Sequence, residues 1–83
     1  MKLQRTDKQL TEQDAIELAE AATGMKATLA PRQLKHSFVI RFRLHSETMN
    51  IGRNSAMILA TDVPIGMEFT NKALELGYYE IVE

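Results

Sequence analysis

The residues from His36 to His45 alternate between two sets of side chains more regularly than any other part of the chain. One set is apolar and consists of Phe38, Ile40, Phe42 and Leu44, and the other consists of Val39, Arg41, Arg43 and His45. Because successive side chains of a strand point to opposite faces, this pattern predicts a β-strand with one face on the core and one face open. The rest of the chain must then supply elements that cover the apolar face.

Two segments have the residue spacing of amphipathic helices. The first is predicted to begin at Thr11, because Thr11 and Asp14 have the spacing of a capping box, and to end at Gly24. Its apolar stripe consists of Ala15, Ile16, Leu18, Ala19 and Ala22.

The second helix is predicted to begin with Thr61 or Asp62 as its cap, with Pro64 in its first turn, and to end at Gly77. Its apolar arc is formed by Ile65, Phe69, Ala73 and Leu76, extended by Met67 and Leu74. We expect Phe69 to be buried between this helix and the sheet.

The remaining segments complete the predicted order. Residues 25–35 are interrupted by Pro31 and predict a connection with room for a short edge strand. Residues 46–54 have the composition of a turn, and Ser55–Thr61, with its unbroken apolar centre, favours a central strand covered on both faces. Residues 78–82 are rich in aromatic and β-branched side chains and predict a last strand.

These elements predict an α+β fold in which two helices pack on one face of a mainly antiparallel sheet of three to four strands. If Met1–Arg5 forms a further strand, the order becomes βαββαβ, as in ferredoxin-like domains, and otherwise it is αββαβ. The length of 83 residues leaves room for one core, so we expect a single domain over residues 1–83.

The chain contains no cysteine, which excludes disulfides, thiolate metal sites and cysteine nucleophiles. We therefore expect a protein of a reducing compartment, the cytoplasm. The first ten residues lack the apolar core of a signal peptide, and the longest apolar run, Ala56–Ala60, is far shorter than a membrane span. We accordingly expect no membrane association.

Charge is distributed unevenly, although the net charge is only −1. Residues 1–25 have a balance of −2 and residues 54–83 a balance of −4. Residues 26–53 carry six Lys and Arg against Glu47 alone, a balance of +5. The middle of the chain is therefore the basic part.

Five residues of this basic part are the candidate binding residues. On the predicted strand Arg41, Arg43 and His45 point away from the apolar face, and Lys35 and Arg53 lie near its ends in the sequence. Cationic side chains of this kind can pair with phosphates or with the carboxylates of a partner. The alternative is that they only keep an exposed strand soluble.

Other kinds of site find no support in the sequence. His36 and His45 are nine positions apart on one strand, so they point to opposite faces and cannot share a metal ion. The four glycines are scattered, which argues against a phosphate-binding loop, and no nucleophile with a neighbouring base can be identified. We predict no metal, no cofactor and no catalytic residues.

The sequence thus favours a small non-enzymatic interaction or regulatory module that binds a protein partner through its basic sheet face or through a sheet edge. One alternative is a nucleic-acid-binding protein that uses Lys35, Arg41, Arg43 and Arg53 as phosphate contacts. Another is a small enzyme subunit whose site forms only at an interface. A homo-oligomer is compatible with all three hypotheses.

Overall fold

The computed structural model describes residues 2–44 and 46–83, which contain six strands and two helices. The order along the chain is β1 (Lys2–Arg5), α1 (Glu12–Thr23), β2 (Ala27–Leu29), β3 (Ser37–Phe42), β4 (Thr48–Gly52), β5 (Ile58–Thr61), α2 (Glu68–Leu76) and β6 (Tyr79–Val82). Strands β2, β3, β4 and β5 form one antiparallel sheet in that order, and β1 pairs with β6 in a separate two-stranded sheet, here called the ribbon.

The predicted α+β fold is confirmed, and so is a strand at the start of the chain, over Lys2–Arg5. Met1 lies outside the described residues. The ferredoxin-like order is not confirmed, because four strands lie between the two helices where that order has two. The short edge strand for which residues 25–35 left room is present as β2.

Helix α1 has the boundaries that its sequence predicts. The Asp14 amide donates a hydrogen bond to the Thr11 hydroxyl at 3.2 Å, which satisfies one of the free N–H groups of the first turn. Gly24 closes the helix with a φ of +75°, a left-handed conformation that glycine adopts without a steric penalty. The small buried side chains of this helix allow it to pack closely on β2 and β3.

Strand β3 carries the core face that its alternation predicts, but it is shorter than predicted. Phe38, Ile40 and Phe42 are all buried. The strand ends at Phe42, so Arg43 and Leu44 lie in a turn, and Leu44 is 92% exposed where the sequence predicts a core position. The alternation therefore continues past the last residue that has a neighbouring strand to pair with.

The prediction of a turn over residues 46–54 is wrong for Thr48–Gly52, which forms β4. Met49 and Ile51 are fully buried on the core face, and Asn50 falls at an alternate position on the opposite face. Gly52 is needed for a close approach, because a Cβ there would lie 2.3 Å from the Ser55 hydroxyl oxygen. Asn50 and Gly52, whose residue types are typical of a turn, are strand residues on the face away from the core.

Strand β5 is the outer strand of the sheet, and its prediction as a central strand covered on both faces is wrong. It pairs with β4 through a register that contains a β-bulge and skips Leu59. Ile58 is partly buried against the core, whereas Leu59 is 58% exposed. An apolar sequence favours a covered strand, but it does not identify what covers it.

Helix α2 begins at Glu68, so the prediction of a start at Thr61 or Asp62 is also wrong. The Thr61 hydroxyl accepts a hydrogen bond from the Val63 amide at 3.1 Å and thus forms a local turn instead of a helix cap. The Gly66 amide donates to the Ala22 carbonyl at 3.0 Å, which holds the connecting loop against the end of α1. The predicted end of the helix at Gly77 is confirmed.

The core lies between α1, α2 and the apolar face of the four-stranded sheet. Helix α1 packs on β2 and β3, and α2 packs on α1 and on β6. The largest fully buried side chains are those of Tyr78, Phe42, Leu18, Ile40, Met49 and Ile51. Tyr78 immediately precedes β6 and therefore connects the ribbon to the core.

Four residues, Arg5, Lys8, Asp14 and Tyr78, form what we call the Tyr78 cluster. The Tyr78 hydroxyl donates to the Asp14 carboxylate at 2.5 Å, and the Lys8 ammonium lies 3.7 Å from the same carboxylate. Lys8 and Arg5 also lie over the Tyr78 ring, 4.7 and 5.5 Å from its centroid. The cluster fastens the start of the chain to the end of α2 and so fixes the position of the ribbon.

Candidate functional site

The predicted basic residues fall into two groups at opposite ends of β3. At its carboxyl end, Arg41 is exposed beside Thr28 and Thr48, and the Arg43 amide in the following turn donates to the Lys26 carbonyl at 3.1 Å. These contacts gather Arg41, Arg43 and Lys26 at one corner of the sheet. His45, the third candidate of this end, lies outside the described residues.

Lys35 and Arg53 lie at the other end of β3. The Arg53 amide donates to the His36 carbonyl at 3.0 Å, and its guanidinium group stacks 3.9 Å from the centroid of the Phe38 ring. The same guanidinium group donates to the Leu34 carbonyl at 3.1 and 3.3 Å. Arg41 lies about 13 Å along β3 from Ser37, and Lys35 lies two residues before Ser37, so the two groups do not form one contact surface.

The open face of the four-stranded sheet carries little charge. Arg41 is the one charged residue within the described strands β2, β3, β4 and β5. Its neighbours on that face are polar or small, among them Thr28, Thr48, Asn50 and Ala60. The basic character that the sequence assigned to the sheet face belongs mostly to the loops at its two ends.

A different feature is more concave and more apolar. A groove with a volume of about 490 Å³ opens between the ribbon, β5, the loop before α2 and α2 itself. It is lined by Leu3, Met57, Ile58, Ile65, Phe69, Thr70, Ala73 and Tyr79. Its volume is within the range of protein pockets that bind ligands.

The groove has a closed floor and an open apolar rim. Ala73 is fully buried at its base, and Phe69 is only partly buried, which corrects the prediction that Phe69 is enclosed between the helix and the sheet. Leu3, Met57 and Ile65 are each about half exposed, at 53%, 54% and 48%. An open cluster of large apolar side chains is typical of surfaces that bind other molecules.

The polar groups that line the groove are the hydroxyls of Thr70 and Tyr79. The Tyr79 hydroxyl donates to the Ser55 carbonyl at 2.7 Å, which holds the ribbon at its distance from the loop before β5. Burial raises the pKa of Tyr79 above 10.0, against the opposing effect of the nearby Arg5 charge, so the hydroxyl is neutral near pH 7. This lining suits the binding of apolar groups better than acid–base catalysis.

The outer edge of β5 adjoins this groove, and its protection against pairing is limited to its short length and to the β-bulge in its register with β4. Its four residues, Ile58–Thr61, contain no charge, proline or glycine. At the opposite edge of the sheet, β2 is only three residues long and is flanked by Lys26 and Pro31. Natural edge strands are commonly protected in the way that β2 is, by short length, lysine and proline.

Sequence reasoning missed both the groove and the free edge. The lining residues come from five separate parts of the chain, so no local pattern joins them. The one local signal at this edge is the apolar run of Ser55–Thr61, and its composition predicts a strand at the centre of the sheet instead of at its edge.

Among residues 2–44 and 46–83, no three or more His, Cys, Asp or Glu side chains are grouped closely enough to hold a metal ion. None of the helices in the described part of the chain is long and apolar enough to cross a membrane. Comparisons with protein-family models, with curated protein sequences and with solved structures found no match to this chain.

Proposed function

We propose that this protein is a non-enzymatic interaction module that binds an extended segment of a polypeptide along the outer edge of β5. The observation that carries the proposal is the position of Ile58, which belongs both to the edge strand of the sheet and to the lining of the apolar groove. A segment bound at this edge can therefore use the backbone of β5 and the side chains of the groove together.

The physical basis is strand addition. The outer side of an edge strand presents free N–H and C=O groups, and an added strand satisfies them by main-chain hydrogen bonds. Alternate side chains of the added strand then point to the face of the sheet on which the groove lies. We expect the bound segment to carry apolar residues at every second position, in contact with Met57, Ile65 and Phe69.

Two observations favour the edge over the basic residues as the contact surface. Lys35 and Arg53 lie beyond the Ser37 end of β3, which is about 13 Å along the strand from Arg41, and the Arg53 guanidinium group is already engaged by Phe38 and Leu34. A nucleic acid would depend on the smaller corner of Lys26, Arg41 and Arg43. Its binding would weaken steeply with salt, because contacts to phosphates release counterions.

The proposal can be tested with peptides selected from a displayed library of random short sequences. We expect the selected peptides to have alternating apolar residues. In direct binding measurements, Leu59→Lys or Ile65→Lys should weaken the selected peptides about tenfold or more, which corresponds to about 1.4 kcal/mol. Both side chains are about half exposed, so neither change should unfold the protein.

Two control variants make the experiment specific. Leu34→Lys adds the same charge at a leucine that is 50% exposed outside the edge, and it should leave peptide binding unchanged. The double variant Arg41→Ser/Arg43→Ser removes the basic corner and should also leave it unchanged. The proposal is wrong if the selected peptides bind equally well to the Leu59 and Ile65 variants, or if only the arginine variant loses binding.

A further inference from the structure

The sequence of β5 and its position in the fold disagree. Ser55–Thr61 has the apolar composition of a strand covered on both faces, but the folded chain leaves β5 at the edge of the sheet. Met57 is 54% exposed and Leu59 is 58% exposed, and Ala60 is exposed as well. A strand paired to this edge would make β5 a central strand, which is the position that its sequence predicts.

Strand β5 is compatible with pairing to a copy of itself. Two identical strands that pair antiparallel are related by a two-fold axis, and the same residues form both halves of the interface. The axis must pass at a residue that faces itself, because opposed residues share a face and successive residues alternate between faces. If that residue is Leu59 or Ala60, Asp62 lies opposite Ala56 or Ile58 of the second copy, so no like charges meet across the interface in either register.

The other free edges are less suited to self-pairing. Strand β2 has only three residues between Lys26 and the Ala30–Pro31 pair, and proline cannot donate to a further ladder. In the ribbon, β1 contains Lys2 and Arg5. Strand β1 carries charges within the strand and β2 is followed closely by a proline, whereas β5 has neither a charge nor a proline within it, and its flanking Asp62 lies opposite an apolar residue of the second copy.

The apolar surface beside β5 is large enough to add to the backbone pairing. The groove rim and its continuation on the ribbon expose the large side chains of Leu3, Met57, Ile65 and Ile81, and β5 also exposes Leu59, whose side chain lies beside Gly52. Each of the five is between 48% and 58% exposed. Ile81 is directly opposite Leu3 in the ribbon and so shares its face. Together these side chains expose on the order of several hundred Å² of apolar surface, which is comparable to the largest apolar patch of a typical monomer. This area is a substantial part of the roughly 800 Å² that each partner of a stable interface buries.

From these observations we infer that the protein forms a two-fold symmetric dimer in which the β5 strands of two copies pair antiparallel. The two four-stranded sheets then become one continuous sheet of eight strands, and the second copy covers the exposed side chains around the groove. This inference rests on the proposed function of the β5 edge, and it names the segment bound there as β5 of a second copy of the chain.

The first test is the mass of the protein in solution, measured by sedimentation over a wide range of concentration. The wild-type chain should sediment at twice its 9.4 kDa at high concentration and dissociate on dilution. Leu59→Lys, which places a lysine on each side of the two-fold axis, should weaken the dimer about tenfold or more. Leu34→Lys is the matched control, and it should dimerise like the wild type.

The second test locates the interface by cross-linking, which the absence of native cysteine makes unambiguous. Leu59→Cys and Ala60→Cys are tested separately, and one of the two should form a disulfide between two copies under mild oxidation, because the residue that faces itself across the two-fold axis has Cα atoms about 4.5–5.5 Å apart, within the range of disulfides. Thr28→Cys, exposed on the opposite edge strand, should remain reduced. Circular dichroism establishes that each variant is folded.

The outcomes separate this inference from the proposed function. A wild-type chain that stays monomeric at all concentrations overturns the dimer, and peptides that still bind at β5 would leave the proposed function standing. A dimer that Leu59→Lys does not weaken, or that cross-links through Thr28→Cys and through neither Leu59→Cys nor Ala60→Cys, overturns the inference as well. A dimer that a selected peptide dissociates supports both.

Discussion

Replacing Tyr78 with Phe should destabilise the protein by about 2 kcal/mol, the usual loss when a hydrogen bond to a charged group is removed. The change keeps the buried ring and the two cations over it, and it removes only the hydroxyl that donates to Asp14 at 2.5 Å. The Asp14 side chain is only 16% exposed, so water cannot fully replace the lost donor. Lys8, at 3.7 Å, remains near the carboxylate and keeps the loss at about this value instead of a larger one.

The measurement is urea unfolding followed by circular dichroism at pH 7, with the slope of the transition as a check that the folded state is unchanged. A loss of about 2 kcal/mol should lower the melting temperature by roughly 10 °C in a chain of this size. A double-mutant cycle with Asp14→Ala should show a coupling free energy that accounts for most of the loss. A loss below about 0.5 kcal/mol, or additive effects in the cycle, would show that this hydrogen bond does not hold the ribbon to the core.

Burial, reinforced by the hydrogen bond to Asp14, raises the pKa of Tyr78 above 10.0, so the unfolded chain loses this proton first as the pH rises. The free energy of unfolding should therefore fall as the pH rises above 10, and it should fall less in Tyr78→Phe. Urea titrations from pH 8 to 11 measure this difference. Phe69→Ala should lower the free energy of unfolding by about 2 kcal/mol, because Phe69 is only partly buried. Phe42→Ala, at a phenylalanine that is 1% exposed, should lower it by about 3–5 kcal/mol. Equal losses of unfolding free energy in urea would contradict the open groove.

The parts of the fold that the sequence predicted are those whose determinants are local. Helix α1 has its cap, its stripe and its terminating glycine within fourteen consecutive residues, so Thr11 and Gly24 mark its ends without help from the rest of the chain. Strand β4 was missed because Asn50 and Gly52 are typical of turns. The alternation of Met49 and Ile51 with them was present in the sequence and could have identified the strand.

The candidate site could not be predicted, because it depends on distances between elements. The basic residues are close in the sequence, but about 13 Å of β3, from Ser37 to Arg41, lies between Lys35 and Arg41, and the stacking of Arg53 on Phe38 is a tertiary contact. The groove exists because α2 begins six residues after Asp62 and because Tyr78 fixes the ribbon beside it. Neither condition leaves a periodic pattern in the sequence.

The pairing of β1 with β6 has a consequence for the order in which the molecule assembles. The register joins Lys2 to Val82 and Arg5 to Tyr79, the most distant pairings along the chain, whereas β2, β3, β4 and β5 are joined by short connections. Because closing a long loop costs more chain entropy than closing a short one, the meander of four strands should form early and the ribbon late. One wall of the groove, carrying Leu3 and Tyr79, would then be the last part of the site to be built and the first to open when the protein begins to unfold.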